Sequence, residues 1–196
     1  MNSAFSFHMK KHFNSILILI LIVGFPLGSY LYLKGGFNYR KDILGEVTAK
    51  GEFDDFLKND YFNPKKGHTI LFAKFENDDS DKINKLAKVL EQFDGNKSFK
   101  IVGLTEGIND DLESTFKNKF NATQGLLIQN LPQTILEKNS LNKEGWNAML
   151  VDTSSQIRAY YNLSLMEDLN KMIEHVSTVL PRKVEKDIVL ERDKEK

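Results

Sequence analysis

The stretch Thr69 to Thr105, TILFAKFENDDSDKINKLAKVLEQFDGNKSFKIVGLT, decides how this chain folds. Its two ends, TILFAKF (69–75) and FKIVGLT (99–105), are short, mostly apolar runs, the pattern of strands covered on both faces. Between them Ile83, Leu86, Ala87, Leu90 and Phe93 recur at i, i+3, i+4, i+7 and i+10, which lays one apolar stripe along a helix. Asp79 or Ser80 can cap that helix and Gly95 can end it. Strand, helix and strand in this order make a βαβ unit, whose crossover is expected to be right-handed.

Towards the C-terminus, a second helix is expected over Asp110 to Phe120, with Leu112, Phe116 and Phe120 on one face. Gly125 to Gln129 reads as a short strand, and Pro132 can open a short helix to about Leu136. Asn147 to Val151 and Gln156 to Tyr161 flank the polar turn Asp152-Thr153-Ser154-Ser155 and predict an antiparallel hairpin. Ser164 and Glu167 stand at capping-box spacing before a helix with Leu165, Leu169, Met172, Ile173, Val176, Val179 and Leu180 on one face; Pro181 stops it. The last segment, 182–196, mixes six basic and five acidic side chains and reads as a solvated tail.

Towards the N-terminus, Phe13 to Leu33 (FNSILILILIVGFPLGSYLYL) is 21 residues without a charge. That matches the roughly 20 residues needed to cross about 30 Å of hydrocarbon. Lys10 and Lys11 precede it, Lys34 follows it, and Tyr30 and Tyr32 sit where an interfacial aromatic belt would lie. A cleaved signal peptide is the competing reading, with Ile16 to Val23 as its apolar core and Gly28-Ser29 as the nearest small-residue site. The expectation is a single-pass anchor in the cytoplasmic (inner) membrane, its lipid bilayer the first partner, with the C-terminal domain on the outer, periplasmic side. The domain plan is then a short tail (1–12), a transmembrane helix (13–33), a stem (34–64), a folded domain (65–181) and a charged tail (182–196). Within the stem, Asp42 to Gly51 and Glu52 to Asn59 are candidate short helices.

Composition narrows the chemistry. The 196 residues carry 27 basic and 27 acidic side chains, so no basic field favours nucleic acid. With no cysteine, the chain has no disulfide, thiolate metal site, CxxC pair or thiol nucleophile. No GxSxG, GxxxxGK[ST] or GxGxxG motif occurs.

Strand, helix, strand, helix, hairpin and helix is the thioredoxin-like order, so the fold class expected is α/β, a thioredoxin-like domain behind an N-terminal transmembrane helix. Two stretches, Leu33-Lys34-Gly35-Gly36-Phe37-Asn38-Tyr39-Arg40 and Met149-Leu150-Val151-Asp152 with Gln156-Ile157-Arg158-Ala159-Tyr160-Tyr161, resemble the Sco/SenC family. That family comprises membrane-anchored, thioredoxin-like copper chaperones that help assemble cytochrome c oxidase. The resemblance implies membrane or periplasmic protein partners, among them a respiratory-complex subunit or assembly factor. The family holds copper with a CxxxC pair after the first core strand and a His shortly before the hairpin. Here Asp78, Lys82 and Glu144 stand near those positions. No metal site, cofactor or catalytic residue is therefore carried over.

Other candidates have simpler readings. Glu76, Asp78, Asp79 and Asp81 gather oxygens of the kind that hard cations prefer, yet they lack EF-hand spacing and suit the positive end of a helix. His8 and His12 precede the apolar run, His68 precedes the first core strand, and His175 is placed on the polar side of the last helix. Trp146, Tyr160 and Tyr161 form a candidate interaction surface, with half-buried packing around the hairpin as the alternative. The function expected is that of a non-catalytic binding and assembly module. The alternatives are an enzyme on the same fold using carboxylates around Asp78 or Glu144, and a copper carrier using Met149, Met166 and Met172 with His.

Overall fold

A computed structural model describes residues 17–57, 59, 62–76, 79–141 and 145–181. The chain divides into two compact units, Met1–Gly45 and Glu46–Lys196. Within the first, one 30-residue helix, α1 (Leu17–Glu46), is long and apolar enough to cross a membrane. Pro26 does not break it, because a π-helical turn, Ile20–Gly24, precedes the proline and takes up the mismatch left by its missing N–H. The helix runs on through 34–46 without interruption, where the stem and one of its short helices were expected. Phe13, at the start of the expected span, lies outside the described residues.

The second unit is built on a six-stranded mixed sheet. Its strands are β1 (Gly51–Glu52), β2 (Thr69–Lys74), β3 (Phe99–Leu104), β4 (Gly125–Ile128), β5 (Ala148–Val151) and β6 (Gln156–Tyr161). The order across the sheet is β1-β6-β5-β2-β3-β4. β2, β3 and β4 pair in parallel, while β5 is antiparallel to both β2 and β6. A core ordered β6-β5-β2-β3 with only β5 reversed is the thioredoxin-like topology, and the chain adopts it.

Among the described residues, four helices accompany the strands: α2 (Ser80–Gln92), α3 (Asp110–Lys119), α4 (Gln133–Lys138) and α5 (Met166–Val179). Strand alternation sends Leu71, Ala73 and Phe75 to one face with the apolar stripes of α2, α3 and α5. It sends Ile70 and Phe72 to the other, where Phe53, Leu57, Phe62, Leu131, Leu136 and Leu141 cover them. This is why β2 and β3 read as nearly continuous apolar runs. Phe53, Leu57 and Phe62 belong to the core although they precede residue 65, and after β1 the segment 53–57 is an irregular strap rather than the helix expected there. No 3.6-residue stripe held that segment helical, and three widely spaced apolar residues suffice for a strap across a sheet face.

Two local expectations are corrected. The helix after the hairpin has no Ser164–Glu167 capping box, since it begins at Met166 with Leu165 in the cap position. Instead the Asp168 carboxylate accepts from Asn162 N–H at 2.7 Å, and Glu167 pairs with Lys171 at 3.1 Å. His175 is not on a polar face but 5% exposed, with Nδ1 3.0 Å from Tyr161 Oη and Nε2 3.1 Å from Glu46 Oε2. One turn after Met172, it continues the buried stripe, and two hydrogen-bond partners make its burial tolerable.

Candidate functional site

In an open α/β sheet the strand ends leave a crevice, because each chain departs there to a different helix or loop. The C-terminal ends of β2, β3 and β6 and the start of β5 meet at one edge of this sheet. There a cleft of about 760 Å³ opens, lined by Lys74 at the end of β2 and Glu76 after it, Glu106 after β3, Gln133 and Glu137 on α4, and Trp146 before β5. Asn147 fixes its floor: its N–H donates to Tyr161 O at 3.0 Å, its carbonyl accepts from Lys74 N–H at 2.7 Å, and its Oδ1 accepts from Leu163 N–H at 2.8 Å. One residue, through its backbone and its side-chain amide, thus ties together the ends of β2, β5 and β6.

The cleft wall is mainly polar and carries more acid than base. Lys74 pairs with Glu106 at 2.8 Å. Among the described residues, neither Glu76 nor Glu137 forms an ion pair, and both are exposed. Among the described residues, the one hydroxyl on the wall, Ser164, has no hydrogen bond from its Oγ to a carboxylate or imidazole.

Trp146 supplies the aromatic part of the wall. Gly145, at φ 88°, turns the chain sharply into it, a conformation that a Cβ would disfavour. The indole stacks on Tyr160 at 4.6 Å between centroids and 7° between planes, and Trp146 remains 40% exposed. Tyr160 is itself held from below: its hydroxyl donates to Asn139 O at 3.2 Å, and burial pushes its pKa upwards. Asn139, 1% exposed, also accepts from Asp54 N–H at 3.1 Å and donates to Ile135 O at 3.0 Å. The strap before β2, α4 and β6 therefore all bond to one buried asparagine beneath the aromatic shelf, the first two through its side-chain amide and β6 through its backbone carbonyl.

Of the three expected surface aromatics, Trp146 and Tyr160 stand together and Tyr161 is removed. Alternation along β6 turns Tyr161 into the core, where it is 2% exposed beside His175. Burial, reinforced by Asp168 and Glu46, raises its pKa far above the usual tyrosine range. Lys82 lies in the first turn of α2, with Nζ 2.8 Å from Asp79 Oδ1. Asp78 and Glu144 lie outside the described residues. The acidic loop is engaged internally: Asp79 Oδ2 accepts from Glu76 N–H at 2.7 Å, and Asp81 pairs with Lys85 at 2.7 Å. The expected sulfur donors do not converge, because Met149 packs on one sheet face, Met172 on the other, and Met166 is exposed. Among the described residues no group of three His, Asp or Glu side chains is placed to hold a metal ion.

Exposed apolar groups mark the same edge. Among the described residues from Glu46 onwards, the large hydrophobics left exposed are Ile108 at 68%, Trp146, Leu165 at 54% and Met166 at 66%. Ile108 follows β3, Trp146 precedes β5, and Leu165 and Met166 follow β6, so the topology brings all four to the cleft end of the sheet. Sequence reasoning identified only Trp146 among them. The opposite end carries a different signature: Lys100 is buried, donates to Thr123 O, lies 5.8 Å from the Phe62 ring centroid, and has its pKa lowered by burial. His68 beside it is lowered by burial and by the Lys100 charge.

Solved structures similar to the chain include the following three. A thioredoxin-like protein from Parabacteroides distasonis matches at 15% identity, covering 65% of this chain and 96% of that one, with a TM-score of 0.47. A thiol-disulfide oxidoreductase from Bacteroides fragilis matches at 13% identity over 61% and 86% of the two chains, TM-score 0.45. A SCO1/SenC family lipoprotein from Bacillus anthracis matches at 10% identity over 59% and 83%, TM-score 0.45. No protein-family model and no curated protein sequence matches the chain. It contains no cysteine, so its own side chains cannot carry out thiol–disulfide exchange.

Proposed function

We propose that this protein is a membrane-anchored, non-catalytic thioredoxin-like binding module whose working surface is the cleft end of the sheet. The single observation that carries this reading is that the described exposed large hydrophobics of Glu46–Lys196 lie at one end of the sheet: Trp146 in the cleft wall, and Ile108, Leu165 and Met166 on segments that follow β3 and β6 at that end. A rim of apolar side chains beside a polar cleft is what protein-binding surfaces present, whereas isolated exposed apolar residues scatter. Helix α1 acts as a single-pass anchor in the cytoplasmic membrane with the domain on the outer, periplasmic side. The anchor confines domain and partner to one surface, which raises their effective concentration and lets modest contacts suffice.

The resemblance to Sco/SenC proteins, with Asp78, Lys82 and Glu144 near the positions of their copper ligands, directs the partner search to cytochrome c oxidase assembly. The module then contributes contacts rather than metal. Affinity capture of the tagged full-length protein from gently solubilised membranes tests this. Oxidase subunits or assembly factors enriched above an anchor-only control support the respiratory link; equal recovery refutes it.

The cleft also favours a second reading, since an enzyme using carboxylates needs a concave site with several of them. Glu76, Glu106 and Glu137 would then be its acids and bases. Substituting Glu76→Gln and Glu137→Gln separates the readings: an enzyme loses turnover of its substrate, whereas a binding module loses only partner affinity.

A further inference from the structure

We infer that the occupant of the cleft is an extended polypeptide segment of a partner protein, carrying a Lys or Arg side chain between apolar neighbours. This rests on the binding reading above and adds the chemistry of the partner. Among the described residues, the cleft wall holds three carboxylates, Glu76, Glu106 and Glu137, against one ammonium, Lys74. Lys74 is paired with Glu106, so Glu76 and Glu137 set the sign of the field in the cleft. A concave wall with surplus negative charge concentrates field lines and selects a cation over an anion or a neutral group.

The surroundings exclude a free small cation as the better match. A bare metal ion needs several oxygens converging on one point, and no such group exists among the described residues. Instead the charges line a space of about 760 Å³, which is the size of a group of side chains. Trp146, backed by Tyr160 in a 4.6 Å stack, offers an indole on which a guanidinium or an aliphatic chain can lie. Leu165 and Met166, next in the chain after the cleft-lining Ser164, are exposed apolar side chains at the same end of the sheet. A basic residue flanked by apolar ones matches this alternation of acid and hydrophobe. Exposed carboxylates supply selectivity and encounter rate, while the shelf and rim supply burial.

The chain contains a single tryptophan, and it stands in the cleft wall, so its emission reports occupancy directly. The test titrates the full-length protein in detergent micelles with two pools of capped nonapeptides. Both have randomised Leu, Val and Phe flanks; one has Arg fixed at the centre and the other its neutral isostere citrulline. The expected result is a Trp146 emission shift at about tenfold lower concentration for the Arg pool. That preference disappears in the E76Q/E137Q variant, whose substitutions lie on exposed positions and leave the fold intact. Equal titration by both pools overturns the cationic assignment while leaving a binding surface in place. If the shift appears with phosphatidylglycerol vesicles and no peptide, or tracks self-association in sedimentation, the occupant is a membrane or a second copy and the inference is wrong. No shift with either pool also overturns it. The membrane capture experiment then decides separately whether the binding reading survives.

Discussion

Replacing Tyr161 by Phe removes one hydroxyl and almost no volume, and the structure states what that hydroxyl does. Tyr161 Oη is 3.0 Å from Nδ1 of His175, which is 5% exposed, and the other ring nitrogen is already engaged by Glu46 at 3.1 Å. Tyr161→Phe therefore leaves a buried ring nitrogen without a partner, a loss of about 1–3 kcal/mol at pH 7. The same hydroxyl makes the loss depend on pH. Burial raises the folded-state pKa of Tyr161 above the value of about 10 that it has in the unfolded chain. Below pH 10 both states keep the proton and the stabilisation is complete. Above it the unfolded chain releases the proton and the folded chain does not, so native stability falls by about 1.4 kcal/mol per pH unit. Phe has no proton to release. A gap of about 2 kcal/mol at pH 7 should thus close over about 1.5 pH units above 10, while contributions of other tyrosines and lysines cancel in the difference. Urea unfolding of both proteins followed by far-UV circular dichroism between pH 7 and 11.5 measures it. Parallel stability curves across that range would refute the placement of Tyr161 in the core.

Other substitutions probe the packing, the anchor and the rim. A Cβ on Gly125 would stand 2.3 Å from Phe120 Cβ and 3.1 Å from Phe116 Cε1, so Gly125→Ala should destabilise the domain by about 1–3 kcal/mol, seen as a lower melting temperature. An unchanged melting temperature would show that β4 and α3 are looser than described. Replacing both Ile22 and Val23 by Arg, at the centre of the 13–33 apolar run, should oppose membrane insertion by about 2.5–3.5 kcal/mol for each residue and move the protein from the membrane pellet to the supernatant after alkaline extraction. Met166→Glu changes a residue 66% exposed, so stability should shift by no more than about 0.5 kcal/mol while capture of partners from membranes falls sharply. Retained capture would remove Met166 from the binding surface.

The parts of the fold legible in the sequence were those with a strong local period. Thr69–Lys74, Ser80–Gln92 and Phe99–Leu104 stand within about one residue of their expected bounds, because alternation and the 3.6-residue stripe are both dictated by burial on a known side. The hairpin was equally plain, with Asp152 Oδ1 accepting from Ser154 and Gln156 N–H at 2.9 Å to close its turn. Its inward side was legible as well: Ile157, Ala159 and Tyr161 alternate, and that pattern should have placed Tyr161 inside. His175 carried a similar signal, three residues after Met172, outweighed by its polarity. The strap of Phe53, Leu57 and Phe62 carried none, since its positions answer to the sheet face and not to a helix or strand period. The cleft was the least legible element. Its walls come from residues 74 to 164, brought together only by the strand order, and no short motif encodes that meeting.

The central claim, that partners dock at the cleft end of the sheet, can be tested by placing a photo-crosslinking amino acid at single positions of the full-length protein in intact cells. Ile108 and Met166 sample the cleft end, and the exposed Lys97, just before β3, samples the opposite end. Discrete adducts to a partner protein should form from positions 108 and 166 and not from 97. Adducts of equal yield at all three positions, or from 97 alone, would contradict the account.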